Sequence, residues 1–162
     1  MSIPPMRWPR SVRPRPRDRP VAEDLYQARL IAHAKAAHGK GRIAQPDGSA
    51  LADNPLCGDR VRVDIRLHDG QIVEFKHEVR GCLLCEAAAS VMGAHAPGLE
   101  ASAIADAARA LGAYLKDKSA VLPASWPELA DFAPVRGHRS RHGCVLLPFA
   151  AAEQALHKAR GG

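Results

Sequence analysis

NPLCGDRVRVDIRLHDGQIVEFKHEVRGC, residues 54–82, is the stretch from which the fold is best predicted. In residues 61–67 every second side chain is apolar and those between are charged, which is typical of a strand with one buried face. Residues 71–79 predict a partner strand, and 68–70 fit a tight turn. The face of this second strand expected to be buried carries Val73, Phe75, His77 and Val79. The two segments predict a β-hairpin of an antiparallel sheet.

Helical composition flanks the hairpin on both sides. Residues 22–38 are rich in helix formers, residues 83–95 are rich in alanine, and residues 99–118 place apolar side chains at helical spacing. A closing helix is predicted to begin at Cys144, with Pro148 near its first turn because proline is tolerated there. The predicted fold class is therefore α+β, a small antiparallel β-sheet packed against several α-helices.

The remaining segments are irregular in composition. Residues 39–59 contain repeated glycine, proline and aspartate and are predicted to form a loop that ends in a turn carrying Cys57 and Asp59. Residues 126–132 fit a short helix between prolines. Trp126 and Phe132 are expected to be core side chains, since large aromatic residues more often anchor a core than form a site.

Three cysteines and one aspartate stand in turn-like or helix-opening contexts: Cys57, Asp59, Cys82 and Cys144. Residues 1–20 contain no apolar segment of a secretory signal, and the chain has no run of about 18 apolar residues that could span a membrane. A reducing cytoplasm is therefore expected, where clustered Cys and Asp are better interpreted as metal ligands or reactive thiols than as disulfides.

The charge of the chain is concentrated at its N-terminus. Residues 1–20 hold six arginines against one aspartate, which accounts for +5 of the net charge of +6. Six prolines in the same stretch exclude an amphipathic helix, so a disordered arm is predicted over 1–20 and a single domain over 21–162. Because the rest of the chain lacks a basic face and stacking aromatics, nucleic acid is disfavoured as a partner of the domain.

The motif Asn54-Pro55-Leu56-Cys57-Gly58-Asp59 resembles that of the U-type iron–sulfur cluster assembly proteins, the IscU, SufU and NifU N-terminal scaffolds. The resemblance includes Gly81-Cys82 before an alanine-rich helix and Arg141 three residues before Cys144. It extends from Leu25 to the closing helix. The resemblance implies the SufE/NifU/IscU-like fold.

The spacing of the cysteines resembles the SufU branch most closely. Cys82 follows Cys57 by 25 residues and Cys144 follows Cys82 by 62, which leaves room for a segment that the shorter IscU type lacks. The IscU type also has a histidine directly before the last cysteine, where this chain has Gly143 and, one residue earlier, His142. The ligand set implied by the SufU branch is Cys57, Asp59, Cys82 and Cys144.

The resemblance implies a protein that receives persulfide sulfur from a pyridoxal-phosphate cysteine desulfurase of the SufS type. Cys57 would accept the sulfur, which makes sulfurtransferase activity possible without a conventional enzyme active site. The site would hold Zn²⁺ or a transient [2Fe–2S] cluster on Cys57, Cys82 and Cys144, and it would serve downstream iron–sulfur assembly or acceptor proteins. Asp59 adds a hard oxygen donor among soft sulfurs, which suits a site that must release what it binds. The alternative is a zinc-stabilised structural or interaction module without sulfur transfer.

Two further side chains, those of Cys85 and His77, allow more than one interpretation. Cys85 forms Cys-x-x-Cys with Cys82, so it is a replacement ligand, a resolving thiol or a plain buried side chain, the last being favoured. His77 lies on the predicted apolar face of its strand. A hydrogen-bonded histidine of the sheet is the favoured interpretation there, and a metal ligand is the alternative.

Overall fold

The structure of the protein is a computed structural model that describes residues 21–161. The predicted arm at 1–20 lies outside the described residues. In chain order the elements are α1 (Val21–Ala36), β1 (Gly48–Asn54), β2 (Asp59–His68), β3 (Gln71–Arg80), α2 (Leu83–His95), α3 (Ala101–Lys116), a 3-10 helix (Pro127–Gly137) and α4 (Arg139–Ala159). The predicted α+β class is confirmed.

The three strands form one antiparallel sheet in the order β1-β2-β3. The predicted β2–β3 hairpin is confirmed, and Asp69 and Gly70 close it with φ angles of 53° and 79°. A two-residue turn with both φ values positive matches the twist of the strands that it joins. The prediction of a continuous loop over 39–59 is wrong, because Gly48–Asn54 pairs with β2. Since GSALADN has no β-branched or aromatic residue, only the pairing with β2 makes it a strand.

A β-bulge shifts the register of the hairpin. Arg66 pairs with Glu74, whereas the next residue, Leu67, pairs with Ile72, so Val73 is an additional residue on β3. Val73 is consequently 54% exposed and Ile72 is fully buried, which corrects the prediction that Val73 belongs to the buried face. An extra residue in one strand inverts the alternation beyond it, and composition alone does not reveal it.

Short segments outside the named strands lie along the outer edge of β3. The backbone N–H of His77 donates to the carbonyl of Gly39, and the N–H of Gly41 donates to the carbonyl of His77, at 2.8 and 2.9 Å. Near the other end of the strand, Ile72 donates to Leu99 and accepts from Gly98, at 2.8 and 2.7 Å. The outer edge is therefore paired at two separated points.

The core lies between the sheet and the helices. Helix α4 packs on β1 and β2, while α2 packs on β3, α1 and α4. Trp126 and Phe132 are buried, as predicted, and Trp126 also contacts the ring of Phe149 at a centroid distance of 6.0 Å. Within residues 21–161 no helix combines the length and apolar character needed to cross a bilayer.

Helix α4 begins earlier than the sequence predicts. It starts at Arg139, so Cys144 lies in its second turn and Pro148 in its interior, which corrects the prediction that the helix opens at Cys144. The polar, glycine-containing stretch 136–143 is typical of a loop, and an interior proline disfavours a helix. The buried side chains of Val145, Leu147 and Phe149 offset this local preference by packing in the core.

Candidate metal centre

The β1–β2 turn, residues 55–58, carries Cys57. The N–H groups of Cys57 and Gly58 donate to the carbonyl of Asn54 at 3.3 and 2.8 Å, and the N–H of Leu56 donates to the Asn54 side-chain oxygen at 3.1 Å. Gly58 has a φ of 76°, a left-handed conformation that favours glycine. This hydrogen bonding holds an exposed thiol at the tip of a tight turn, as predicted for Cys57.

Asp59 follows the turn as the first residue of β2, paired with Asn54, which corrects its predicted placement on irregular backbone. Its side chain is buried, its Oδ1 accepts from the backbone N–H of Cys82 at 3.2 Å, and its Oδ2 lies 3.3 Å from Cys82 Sγ. A Cβ added to Gly81 would lie 2.7 Å from Asp59 Cγ. Glycine at 81 therefore allows the carboxylate to approach the chain at the end of β3.

Cys82 occupies the predicted position at the start of a helix. It is the N-cap of α2, in an extended backbone conformation, and its side chain makes no capping hydrogen bond. Cys144 differs, because it projects from within α4 and is 2% exposed. The two thiols thus reach the same region from a helix end and from a helix interior.

Three of the four predicted ligands converge directly. The Sγ atoms of Cys57 and Cys144 and a carboxylate oxygen of Asp59 all lie within 4.8 Å of one another. Cys144 Sγ is 3.2 Å from Cys57 Sγ. Cys82 falls outside this close group and reaches it through its contact with Asp59. We call the four residues the thiol–carboxylate cluster, and their role as metal ligands stays a prediction.

The chemistry of this cluster fits Zn²⁺. Zinc takes four tetrahedral S, N or O ligands, and two thiolates on one zinc ion lie about 3.8 Å apart given a Zn–S distance of about 2.3 Å. Cys57 and Cys144 are slightly closer than that, and Asp59 supplies an oxygen beside them. The fourth predicted donor, Cys82 Sγ, lies 3.3 Å from Asp59 Oδ2. Elsewhere in residues 21–161 no other group of three such side chains is this close.

Burial controls the protonation of the inner thiols. Burial raises the pKa of Cys144 far above its ordinary value, and the hydrogen bond with Cys57 raises it further. Burial likewise raises the pKa of Cys85, with an added contribution from the carboxylate of Asp59. Cys85 is fully buried in the core, so of its three interpretations the structure favours the plain buried side chain.

Neither His142 nor His77 lies in the thiol–carboxylate cluster. His142 Nε2 is 3.0 Å from the carbonyl of Val135, and a Cβ on Gly143 would lie 2.7 Å from the side-chain nitrogen of Asn54. Position 143 therefore has no room for a histidine unless Asn54 moves. His77 is a hydrogen-bonded histidine of the sheet, with Nε2 2.7 Å from the carbonyl of His38, and burial lowers its pKa.

Sequence reasoning missed the side chains that position the ligands. Asn54 braces the turn and lies over α4, and Gly81 leaves space for Asp59. An open depression of about 370 Å³ beside the turn was also missed; its lining comprises Asp53, Asn54, Pro55, Gly58, Asp59, Arg60 and Arg80. The Asn-Pro pair before Cys57 was a signal for the brace, because asparagine side chains accept from the backbone two residues on.

The profile of the family described as NifU-like N terminal domain matches residues 25–121, which is more than half of the chain. The chain belongs to this family. The family domain contains the turn with Cys57, the whole sheet and the α2 helix start with Cys82, whereas Cys144 lies beyond the matched range.

Individual relatives extend this similarity to most of the chain. The "Zinc-dependent sulfurtransferase SufU" of Bacillus subtilis (strain 168) is 28% identical over 143 residues, covering 86% of this chain and 95% of the relative. The crystal structure of a nitrogen-fixing NifU-like protein (N-terminal) from Brucella abortus is 30% identical, with a TM-score of 0.80 and coverage of 86% and 96%. The iron–sulfur cluster assembly scaffold protein IscU 1 of Archaeoglobus fulgidus is 32% identical over 74 residues, covering 46% of this chain and 48% of the relative. The predicted family and fold are confirmed.

Proposed function

We propose that this protein takes part in iron–sulfur cluster assembly by accepting persulfide sulfur from a cysteine desulfurase at Cys57. The supporting observation is the placement of Cys57, an exposed thiol on a braced turn that touches a buried thiol, Cys144, and lies beside a buried carboxylate, Asp59. A sulfur acceptor must be reachable by a large partner, whereas metal ligands must be gathered, and this turn satisfies both needs.

The transfer is a thiol–persulfide exchange. The Cys57 thiolate attacks the outer sulfur of the persulfide on the desulfurase cysteine and forms a new S–S bond. The S–S bond of the donor breaks, the donor cysteine leaves as a thiolate, and Cys57 carries the persulfide. No oxidant or reductant is consumed, so the direction depends on the relative stabilities of the two persulfides.

The resident metal in this proposal is Zn²⁺, held by Cys57, Asp59, Cys82 and Cys144. When bound, it supplies a positive charge that favours the thiolate forms of the cysteines. The chain's own residues position the donors. Asn54 holds the turn that carries Cys57, and the buried Asp59 links this turn to the start of α2 by accepting a hydrogen bond from the Cys82 N–H. A [2Fe–2S] cluster on Cys57, Cys82 and Cys144 would be cargo rather than a permanent group.

The partners follow from the resemblance. A SufS-like cysteine desulfurase would donate the sulfur, and downstream iron–sulfur assembly or acceptor proteins would receive it, in the reducing cytoplasm. We assign the activity to a single domain at 21–162, with the arm at 1–20 outside it. The similarity to a zinc-dependent sulfurtransferase over 86% of this chain supports this proposal.

The test is anaerobic purification with analysis of metal and acid-labile sulfide, followed by incubation with a cysteine desulfurase, cysteine and a persulfide-specific label. Label trapped at early times should lie on Cys57 in the wild type, and Cys57→Ser should lose about all of it. Cys85→Ala is the matched control, because it removes a thiol that is fully buried in the core. If wild type retains stoichiometric zinc, unfolds when zinc is removed and takes up no sulfur, the structural-module alternative is correct instead.

A further inference from the structure

The contact between Cys57 and Cys144 is closer than joint metal binding requires. Their Sγ atoms lie 3.2 Å apart, and both thiols are free. An S–S bond is about 2.05 Å long, so a bond between them needs an approach of little more than about 1 Å. Cys57 lies on the exposed turn, so this approach of its side chain does not require the core around Cys144 to rearrange.

We propose that Cys144 is a resolving thiol that converts a persulfide on Cys57 into free sulfide and a Cys57–Cys144 disulfide. This inference rests on the proposed function, because it takes the Cys57 persulfide as its starting point. It adds a second step, in which sulfur that arrives as a persulfide leaves as sulfide.

The step balances without an external oxidant. The Cys144 sulfur attacks Cys57 Sγ, the Cys57–Cys144 bond forms, and the bond between Cys57 Sγ and the outer sulfur breaks with its electron pair on the outer sulfur. The proton of the Cys144 thiol leaves with that sulfur, so the product is hydrogen sulfide. The outer sulfur is reduced by two electrons, and the two cysteines are oxidised to a disulfide. An external dithiol then reduces the disulfide and restores both thiols.

The geometry selects the inner sulfur as the point of attack. Cys144 contacts Cys57 Sγ from the buried side, while the outer sulfur of a persulfide on an exposed turn is free to extend toward solvent. The leaving group also favours this direction. Hydrogen sulfide is a stronger acid than a cysteine thiol, and the more acidic leaving group departs faster in thiol–disulfide chemistry.

The burial of Cys144 determines the order of the two steps, which are sulfur transfer to Cys57 and then attack by Cys144. Cys144 is 2% exposed, so a persulfide on another protein reaches Cys57 and does not reach Cys144 directly. The other two cysteines are less well placed, because Cys82 Sγ contacts Asp59 and Cys85 is enclosed in the core. The reaction between these two cysteines would therefore supply the sulfide that cluster assembly needs. The disulfide would also remove two donors from the cluster, so bound metal should leave in the same step.

The experiment uses the full chain, purified anaerobically, with Cys57 loaded by inorganic polysulfide and the excess removed by desalting. Without added reductant, wild type should release about one sulfide per persulfide. Peptide mapping after alkylation should show a Cys57–Cys144 disulfide, and a chromogenic chelator should show metal release with the same time course. Cys144→Ala should keep its persulfide and release sulfide at least about tenfold more slowly, while Cys85→Ala should behave as wild type.

Several outcomes would overturn the inference. They are an unchanged rate of sulfide release in Cys144→Ala, a disulfide that joins Cys57 to Cys82, and persulfide that moves to Cys144 without sulfide release. Disulfide mapping on wild type decides the question even if Cys144→Ala folds poorly. Because polysulfide loading needs no desulfurase, a failure of transfer from the desulfurase refutes the proposed function separately, whereas normal transfer without sulfide release refutes only the resolving role.

Discussion

The two sides of the thiol–carboxylate cluster are built in opposite ways. On one side, Cys57 lies on the exposed four-residue β1–β2 turn, held by backbone and side-chain hydrogen bonds to Asn54. On the other side, Cys144 projects from the interior of α4 and is buried beside the core. The difference shows that accessibility and fixed position are supplied by separate elements, which meet at a distance of 3.2 Å between the two Sγ atoms.

The largest expected difference between the two sides is in stability. Phe149 on α4 is 1% exposed, so Phe149→Ala should lower the free energy of unfolding by about 3–5 kcal/mol. Leu56 on the turn is 91% exposed, and Leu56→Ala should change it by less than about 0.5 kcal/mol. Urea denaturation of both variants at the same metal content measures this. Similar losses in the two variants would mean that the turn is part of the folding core.

The next difference concerns thiol reactivity. After metal removal by a chelator, iodoacetamide should alkylate Cys57 at least about tenfold faster than Cys144, because Cys57 is exposed and Cys144 is buried. Mass spectrometry of peptides at early times gives both rates in one sample. Equal rates would show that removing metal opens the helix side as well as the turn.

Two hairpin glycines allow the turn to be tested against a neutral turn of the same sheet. Gly58 and Gly70 both have positive φ, 76° and 79°, and a Cβ at either position would meet no atom within 4 Å. Gly58→Ala and Gly70→Ala should therefore each cost about 1–2 kcal/mol of stability. Only Gly58→Ala should also slow sulfur uptake, because it distorts the turn that carries Cys57. Equal sulfur uptake by the two variants would show that the geometry of the β1–β2 turn does not affect sulfur transfer.

The smallest expected effect lies where the two sides touch. Gly112→Ala in α3 adds a Cβ into open space and should raise the free energy of unfolding by about 0.5–1 kcal/mol. Gly143→Ala in α4 should not raise the free energy of unfolding in this way. Its Cβ would lie 2.7 Å from the Asn54 side-chain nitrogen and displace the side chain that holds the turn. Chemical denaturation compares the two. A stabilised Gly143→Ala would mean that Asn54 moves aside without cost.

Local patterns predicted some elements accurately. The helix predicted over residues 83–95 is α2 (Leu83–His95), and Asp69-Gly70 forms the expected turn. The motif around Cys57 predicted a tight turn correctly, because asparagine, proline and glycine encode it through short-range hydrogen bonds and backbone preferences. These features depend on residues close together in the sequence.

Other features depend on contacts between distant residues and were missed. β1 has little strand propensity and forms because it pairs with β2. The first turns of α4 are polar and glycine-containing, and core packing extends the helix through them. The bulge at Val73 changes which side chains face the core. The approach of Cys144 to Cys57 across 87 positions of sequence could be inferred from the family resemblance but not from local preference.

The paired outer edge of β3 has a consequence for association between molecules. A bare edge strand presents a row of unused amide and carbonyl groups that can template sheet growth with another chain. Here the outward groups of Ile72 and His77 already have partners within the same chain, at points five residues apart. An incoming strand would find no uninterrupted row to continue, so β3 is shielded from intermolecular sheet extension and from the aggregation that follows it.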